Sequence, residues 1–574
     1  MAIIKPTNNE ITWGGQDFFT HMLCVGPTRC GKTATILKPI IMQILQAKKR
    51  GKPIGLSVIE PKGDVAQLVA DVCKEMDIPC IHIDPLAEFT HKFNVMEGDI
   101  NDVAEATVVV LKGLFGKQDA FFATVQELSA RNVTKLLKEI HGNDMDITDV
   151  LYTLQDENKL KKKVADLKRL KGKSDLTDFF DNELLGSMAE KYRQFVIGLR
   201  AQLENVTSNE ALRRIITGKS DINIDEHFEK GGVLAVNTAL GKLRTSGDAF
   251  GQFVIMHLQN GTFRRKGTER TRIPHIMIVD EYSRYINPDV EIFLSIAAEY
   301  RVAGIFACQS LGQLELESGK ISARAMKKSI LTNCRSKICF GGVSAEDAKE
   351  FADIFGKDRI TMRQSTYKNR IFLPNLFPDT YRDTETSEYR FEPTDLVDGL
   401  PRFHYVHQLM VDGQLQKPGI AKGDFIPMNW KEEKAWETEP SKRDKKPFLF
   451  SKLNLKKRLV KLQFARKMKK KKRQLLLPAP SKADTVNATN TFIPNSNNAP
   501  ILDKNYNPNS STPSEPHKTE ISVNQSTFEA KNIDINVEKA EKINENNINS
   551  TPSRTEFNQD MLEKRKLKNS DKFW

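Results

Sequence analysis

The run Gly26-Pro27-Thr28-Arg29-Cys30-Gly31-Lys32-Thr33 has the residue types and spacing needed to hold a polyphosphate. In this GxxxxGK[ST] pattern, or P-loop, the glycines let backbone N–H groups wrap phosphate oxygens at a helix N-terminus. Lys32 would neutralise charge on the β and γ phosphates, and the Thr33 hydroxyl would ligate Mg2+. An apolar strand-like run, His21 to Val25, precedes the pattern and a helix-compatible run follows it, which is the context the motif requires. Gly26 through Thr33 are therefore candidate binding residues for ATP with Mg2+.

Hydrolysis needs a second carboxylate site, and Ile276-Met277-Ile278-Val279-Asp280-Glu281 supplies four apolar residues followed by two acids. Asp280 is expected to join Thr33 at the metal by orienting its water shell. Glu281, at the strand's end, is the natural general base for an attacking water. Gln309 falls where the next strand would end, beside the γ phosphate, and reads either as a polar sensor of nucleotide state or as an ordinary polar strand terminus. Arg301 stands just before that strand; it could reach a neighbouring subunit's nucleotide as an arginine finger, or make a surface salt bridge. The candidate catalytic set is thus Lys32, Glu281, Arg301 and Gln309. No NKxD base-reading motif of the small GTPases is found.

These residues need a scaffold, and short β-rich apolar runs with helical patterns between them predict a doubly wound, mainly parallel sheet. The candidate strands are His21 to Val25, Ile54 to Ile59, Ile81 to Asp84, Val233 to Val236, Ile276 to Asp280, Gly304 to Cys308 and Lys337 to Phe340. Between the third and fourth, helical spacing as in Val133, Leu136, Leu137, Ile140 and again in Leu185, Met188, Tyr192, Phe195, Leu199 predicts an inserted all-α domain over about 100–218. A later helix is bracketed by Ser344 as N-cap, Asp347 in the capping-box position and Gly356 as its stop. Residues 404–420 alternate around Asp412-Gly413 and read as a hairpin. The expected division is a first core part over 1–99, the helical insertion over 100–218, a second core part over 219–430, a basic segment over 431–477 and a disordered tail over 478–574.

Composition excludes several classes. No run of 18 apolar residues occurs, since Ile292 to Cys308 is interrupted by Glu299 and Arg301, so a transmembrane span is not expected. Seven cysteines form neither a CxxC pair nor an even disulfide framework, which fits a reducing cytosol and thiols used as small hydrophobes. The net charge of +13 is local: Lys442 to Arg473 holds 16 Lys and Arg against Asp444 alone, so the rest of the chain carries −2. A strongly basic fold is thereby excluded. Within that segment Leu455, Leu459 and Leu462 share a helical face among lysines and arginines. A basic amphipathic helix of this kind could lie on an anionic membrane face, bind DNA phosphates, or serve as a solvated tail. From Pro478 onward, Asn, Ser, Thr, Pro, Lys and Glu dominate with too few apolar residues to offset the entropy of ordering. The lysines and arginines between Lys161 and Lys173 read as a solvated helix face.

Taken in order, the motifs resemble those of the type IV coupling proteins, the TraG/TraD-like conjugative DNA-transfer ATPases, over about residues 15–425. The Gly-Pro-Thr-Arg opening of the P-loop, Glu60-Pro61-Lys62-Gly63-Asp64, Phe93-Asn94, Asp280-Glu281 followed by Arg301, Gly304 and Gln309-Ser310, and finally Asn333 to Lys337 and Ala345 to Gly356 carry the likeness. Two departures stand out: the family commonly begins with membrane-spanning helices, not expected here, and its Asn-Pro step is Asn94-Val95. The resemblance implies a homo-hexameric motor with a RecA-like P-loop NTPase core that docks a relaxase or relaxosome and moves single-stranded DNA into a secretion channel at the cost of ATP. It also implies Arg301 as the finger. The expected place is the cytoplasm, peripheral at the inner face of the cell membrane through contact of 440–477 with anionic lipid. A nucleotide-dependent recruitment platform for protein substrates, or a DNA-partition or packaging motor, would keep the same P-loop.

Overall fold

The computed structural model describes residues 13–114, 119–187, 189–317, 321–367 and 380–433. Each predicted apolar run forms a strand: β1 (Met22–Val25), β2 (Gly55–Glu60), β3 (Cys80–Ile83), β4 (Val233–Asn237), β5 (His275–Val279), β6 (Val302–Cys308) and β7 (Ser336–Phe340). They run parallel in the order β7-β1-β6-β5-β2-β4-β3. Helices cover both faces, so every residue of β1, β2, β4, β5, β6 and β7 is buried. Burial on two sides is what made these runs continuous rather than alternating in the sequence.

The chain continues through β8 (Lys357–Thr366), β9 (Thr380–Tyr389), β10 (His404–Gln408), β11 (Met410–Val411), β12 (Gln414–Leu415) and β13 (Gly419–Lys422). Strand β10 adds to β7 and β13 to β10, both antiparallel, which completes a nine-stranded sheet. The hairpin forms where it was expected: β11 and β12 pair around Asp412 (φ 51°) and Gly413 (φ 77°), the two left-handed positions of a tight turn. The ribbon of β8 and β9 was not expected. It pairs over ten residues, but its side chains are nearly all exposed, so no burial pattern announces it.

Between β3 and β4, seven helices from Ile100–Leu114 to Glu210–Ile216 follow one another without a strand among the described residues. Val133, Leu136, Leu137 and Leu199 are buried, as their spacing predicts. The helix read from Leu185 onward begins later, at Ala189, because a π-helical turn, Phe180–Leu184, closes the preceding helix and a bend follows. The insertion meets the core where helix Ile100–Leu114 packs on helix Thr245–Phe263.

Ser344 caps helix Ala345–Phe355 by accepting from Asp347 N, and Gly356 (φ 82°) ends it. The Asp347 carboxylate does not complete a capping box; it turns instead to the N–H of Leu311, 3.2 Å from each oxygen, and ties down the loop after β6. No described helix is long and apolar enough to cross a membrane. The basic segment, apart from its first three residues, and the expected disordered tail lie outside the described residues.

Candidate nucleotide site

Strand β1 ends at Val25 and the chain turns at once through the Gly26–Lys32 loop into helical turns at Thr33–Leu37 and helix Lys38–Lys49. Two glycines are sterically required. A Cβ on Gly26 would stand 2.7 Å from Phe340 Cβ and 2.8 Å from Cys30 Sγ. Gly31 has φ +114° with the Phe403 ring 2.8 Å from where its Cβ would be. Lys32 is buried, and its ammonium folds back over the loop to donate to the carbonyls of Gly26 and Pro27. Thr28 and Arg29 are exposed on the loop's crest, Arg29 with φ 65°.

Strand β5 brings Asp280 and Glu281 to the same edge of the sheet. Thr33 Oγ1 donates to Asp280 Oδ2 at 2.7 Å, so the P-loop hydroxyl and the first acid share one position. Burial holds the Asp280 carboxyl above the ordinary carboxylate range; the Thr33 hydrogen bond opposes the shift and the charge of Glu281 adds to it. A hydroxyl and a buried carboxylate are a hard-oxygen donor set, which fits Mg2+.

Glu281 is buried in a left-handed conformation (φ 53°, ψ 44°), an arrangement that costs on the order of 1 kcal/mol for a non-glycine residue and so must be imposed by its surroundings. Gln309, at the end of β6, supplies part of that constraint. Its Nε2 donates to both Glu281 oxygens at 3.0 and 3.1 Å, and its Oε1 accepts from Thr28 Oγ1 at 3.2 Å. One amide thus joins the P-loop to the second acid. Gln313 steadies the turn, its Oε1 accepting from Gln309 N at 3.1 Å. Thr28 and Asp347 carried no signal of this role in the sequence, since their partners are remote in the chain, and Gln313, four residues from its partner, lies in a single 3-10 turn with no periodicity to mark it.

Arg301 is not brought to this site. It precedes β6 at the opposite edge of the sheet, where its guanidinium lies 4.2 Å from the Phe19 ring centre, donates to Gln16 Oε1 and stands 3.7 Å from Glu269. Its side chain is only 11% exposed. The cysteines around the site, Cys24, Cys308 and Cys339, are free and buried, and burial pushes their thiols up, which suits apolar packing and not redox chemistry.

Strand β6 lies between the P-loop strand and the acid-bearing strand, parallel to both, with Val25 opposite Cys308 and Val279 opposite Phe306. That insertion, with the P-loop and the paired acids on one edge, defines an additional-strand P-loop NTPase fold. Within that class, the chain belongs to the type IV secretory system conjugative DNA transfer family, whose sequence model matches residues 3–375. Among solved structures it is similar to the bacterial conjugative coupling protein TrwBΔN70 in an unbound form, with a TM-score of 0.54 and 14% identity over 74% of this chain and 89% of that one. Plasmid coupling protein TrwB in complex with a non-hydrolysable ATP analogue aligns with a TM-score of 0.52 and 14% identity, over 74% of this chain and 90% of that one. TrwB in complex with ADP and Mg2+ gives 0.51 and 13%, with the same coverage. No curated protein matches the sequence at a significant level.

Proposed function

We infer that this chain is an ATP-hydrolysing motor that couples a relaxase-bound DNA substrate to a conjugative, type IV secretion-like channel and drives single-stranded DNA through it. The observation that carries the reading is the pair of links across three strand ends, Thr33 to Asp280 and Thr28 through Gln309 to Glu281. Membership in a conjugative DNA transfer family and a fold shared with TrwB, which binds ADP with Mg2+ and a non-hydrolysable ATP analogue, support it.

In this reading the backbone of Gly26 to Thr33 cradles ATP and Lys32 leaves the Gly26 and Pro27 carbonyls for the β and γ phosphates. Thr33 and Asp280 would hold Mg2+, which when bound screens the phosphate charge. Glu281 takes the proton of the attacking water. Gln309 keeps Glu281 aimed while contacting the loop at Thr28, so it senses the nucleotide and positions the base together. Arg301 would have to leave Phe19, Gln16 and Glu269 to act as a finger on a neighbour in the ring. The helical insertion over 100–218 is the surface for docking the substrate. A homo-hexamer is the assembly in which such a core would enclose DNA, and the segment 440–477 would rest on anionic lipid at the inner membrane face.

The test is ATP turnover by the purified full chain with and without single-stranded oligonucleotide. Stimulation by DNA that disappears in Lys32→Ala is the expected result. Turnover that is equal with and without DNA at every concentration removes the motor and leaves a nucleotide-dependent recruitment platform for protein substrates.

A further inference from the structure

The edge that carries the nucleotide residues continues past β5 to the ends of β2 and β4. The two loops there are joined: Thr238 N donates to Glu60 O at 2.9 Å and Leu240 N to Pro61 O at 3.0 Å. Together they expose three cations, Lys62, Lys242 and Arg244, and among the described residues none of these side chains makes an ion pair or hydrogen bond. The basic face of the helical insertion is different. There Lys161, Lys168, Arg169, Lys171 and Lys173 each pair with a carboxylate. A solvated basic surface pairs with its own acids, whereas at this edge the nearby carboxylates are engaged by other cations, Asp64 by Lys38 and Asp248 by Arg284.

The second loop is held in an unusual shape. Ala239 (φ 49°) and Arg244 (φ 49°, ψ −125°) are both left-handed, a conformation that side-chain-bearing residues keep only where the surroundings impose it. A Cβ added to Gly241 would meet nothing within 4 Å, so the crest between them faces open space.

The stretch that follows Glu281 grips both ends of this loop. At the near end, Tyr285 OH and Thr238 Oγ1 are hydrogen-bonded at 2.8 Å. At the far end, Arg284 Nη1 pairs with Asp248 in the first turn of helix Thr245–Phe263 at 3.1 Å. Glu281, Arg284 and Tyr285 belong to one short turn, Arg284 N donating to Glu281 O at 3.1 Å. A displacement of Glu281 is therefore delivered to the loop through two contacts.

We propose that Lys62, Lys242 and Arg244 form a contact for the phosphates of single-stranded DNA, moved by the Glu281 to Tyr285 turn as nucleotide is hydrolysed. This rests on the motor reading above and names the residues that would bear on its substrate. Unpaired cations have no acid partner to give up on binding. Each phosphate they neutralise releases counterions, lowering log K by about 0.7 per unit of log salt concentration for single strands.

The experiment uses the full chain and an oligothymidylate, and reads the oligonucleotide concentration that half-saturates ATPase stimulation at several salt concentrations. The triple variant Lys62→Ala, Lys242→Ala, Arg244→Ala is expected to need at least about tenfold more oligonucleotide and to lose about two from the salt slope, with its melting transition unmoved. Gly241→Glu, which places a negative charge on the open crest without removing any cation, is expected to shift half-saturation the same way. Wild-type half-saturation and slope in both variants would overturn the assignment while leaving the motor reading in place. If the wild-type chain itself is not stimulated by oligonucleotide, the assignment and the motor reading fall together.

Discussion

The two ends of strand β6 carry polar residues that the sequence singles out in the same way and the fold treats differently. At the C-terminal end Gln309 bonds side chains from two other loops, Glu281 and Thr28. At the N-terminal end Arg301 is fixed against Phe19, Gln16 and Glu269, about 26 Å away by eight residue steps along the strand. In a parallel sheet the loops at the carboxyl ends converge on one crevice, and the other edge holds the sheet to its covering helices. Position along the strand, more than residue type, separates the residue that joins the P-loop to the paired acids from the one that packs.

The comparison can be broken from either end. The largest effect is expected from Lys32→Ala, which removes the charge that meets the phosphates: kcat/KM for ATP should fall at least about 100-fold in a steady-state assay. Gln309→Ala should leave nucleotide affinity nearly intact and lower kcat about tenfold, the loss of a positioning contact rather than of the base. Gln309→Glu should be worse, since it sets a like charge against Glu281. Arg301→Ala should change turnover by no more than about twofold while costing about 1 to 2 kcal/mol in denaturant unfolding, from the lost ring contact and hydrogen bond. A roughly thousandfold fall in turnover with unchanged unfolding would reverse that assignment and make Arg301 a finger for a neighbouring subunit.

An effect on stability alone, with turnover not involved, is expected at Glu60, on the same edge as Gln309 but outside its contacts. Burial raises its carboxyl to about 7, against hydrogen bonds from Lys62 N and Ala66 N that pull it down. The folded chain therefore holds a proton there that the unfolded chain releases, so stability should fall as pH rises from about 4.5 to 7. The size is roughly 1 to 3 kcal/mol, and Glu60→Gln should flatten the dependence in melting curves taken across that range.

The core was legible because its signals are local. Strands buried on both faces appear as unbroken apolar runs, the Gly26 to Thr33 pattern fixes the loop by itself, and Asp412-Gly413 marks its turn through left-handed backbone. What escaped was set by distant partners or by exposure. The ribbon of β8 and β9 has no buried face to impose alternation. Asp347 occupies a capping-box position, yet its carboxylate serves Leu311, and only the packing of that helix beside β6 decides between the two. The left-handed turn at Glu281 and the amide that holds it likewise depend on three strands meeting at one edge.

The most direct measurement is single-turnover hydrolysis of ATP by Glu281→Gln in the presence of Mg2+. The account predicts that the variant binds ATP about as tightly as the wild-type chain and that the chemical step slows at least about 100-fold. An unchanged single-turnover rate would mean that another group activates the water, and that the link from Thr28 through Gln309 to Glu281 holds the loop without taking part in hydrolysis.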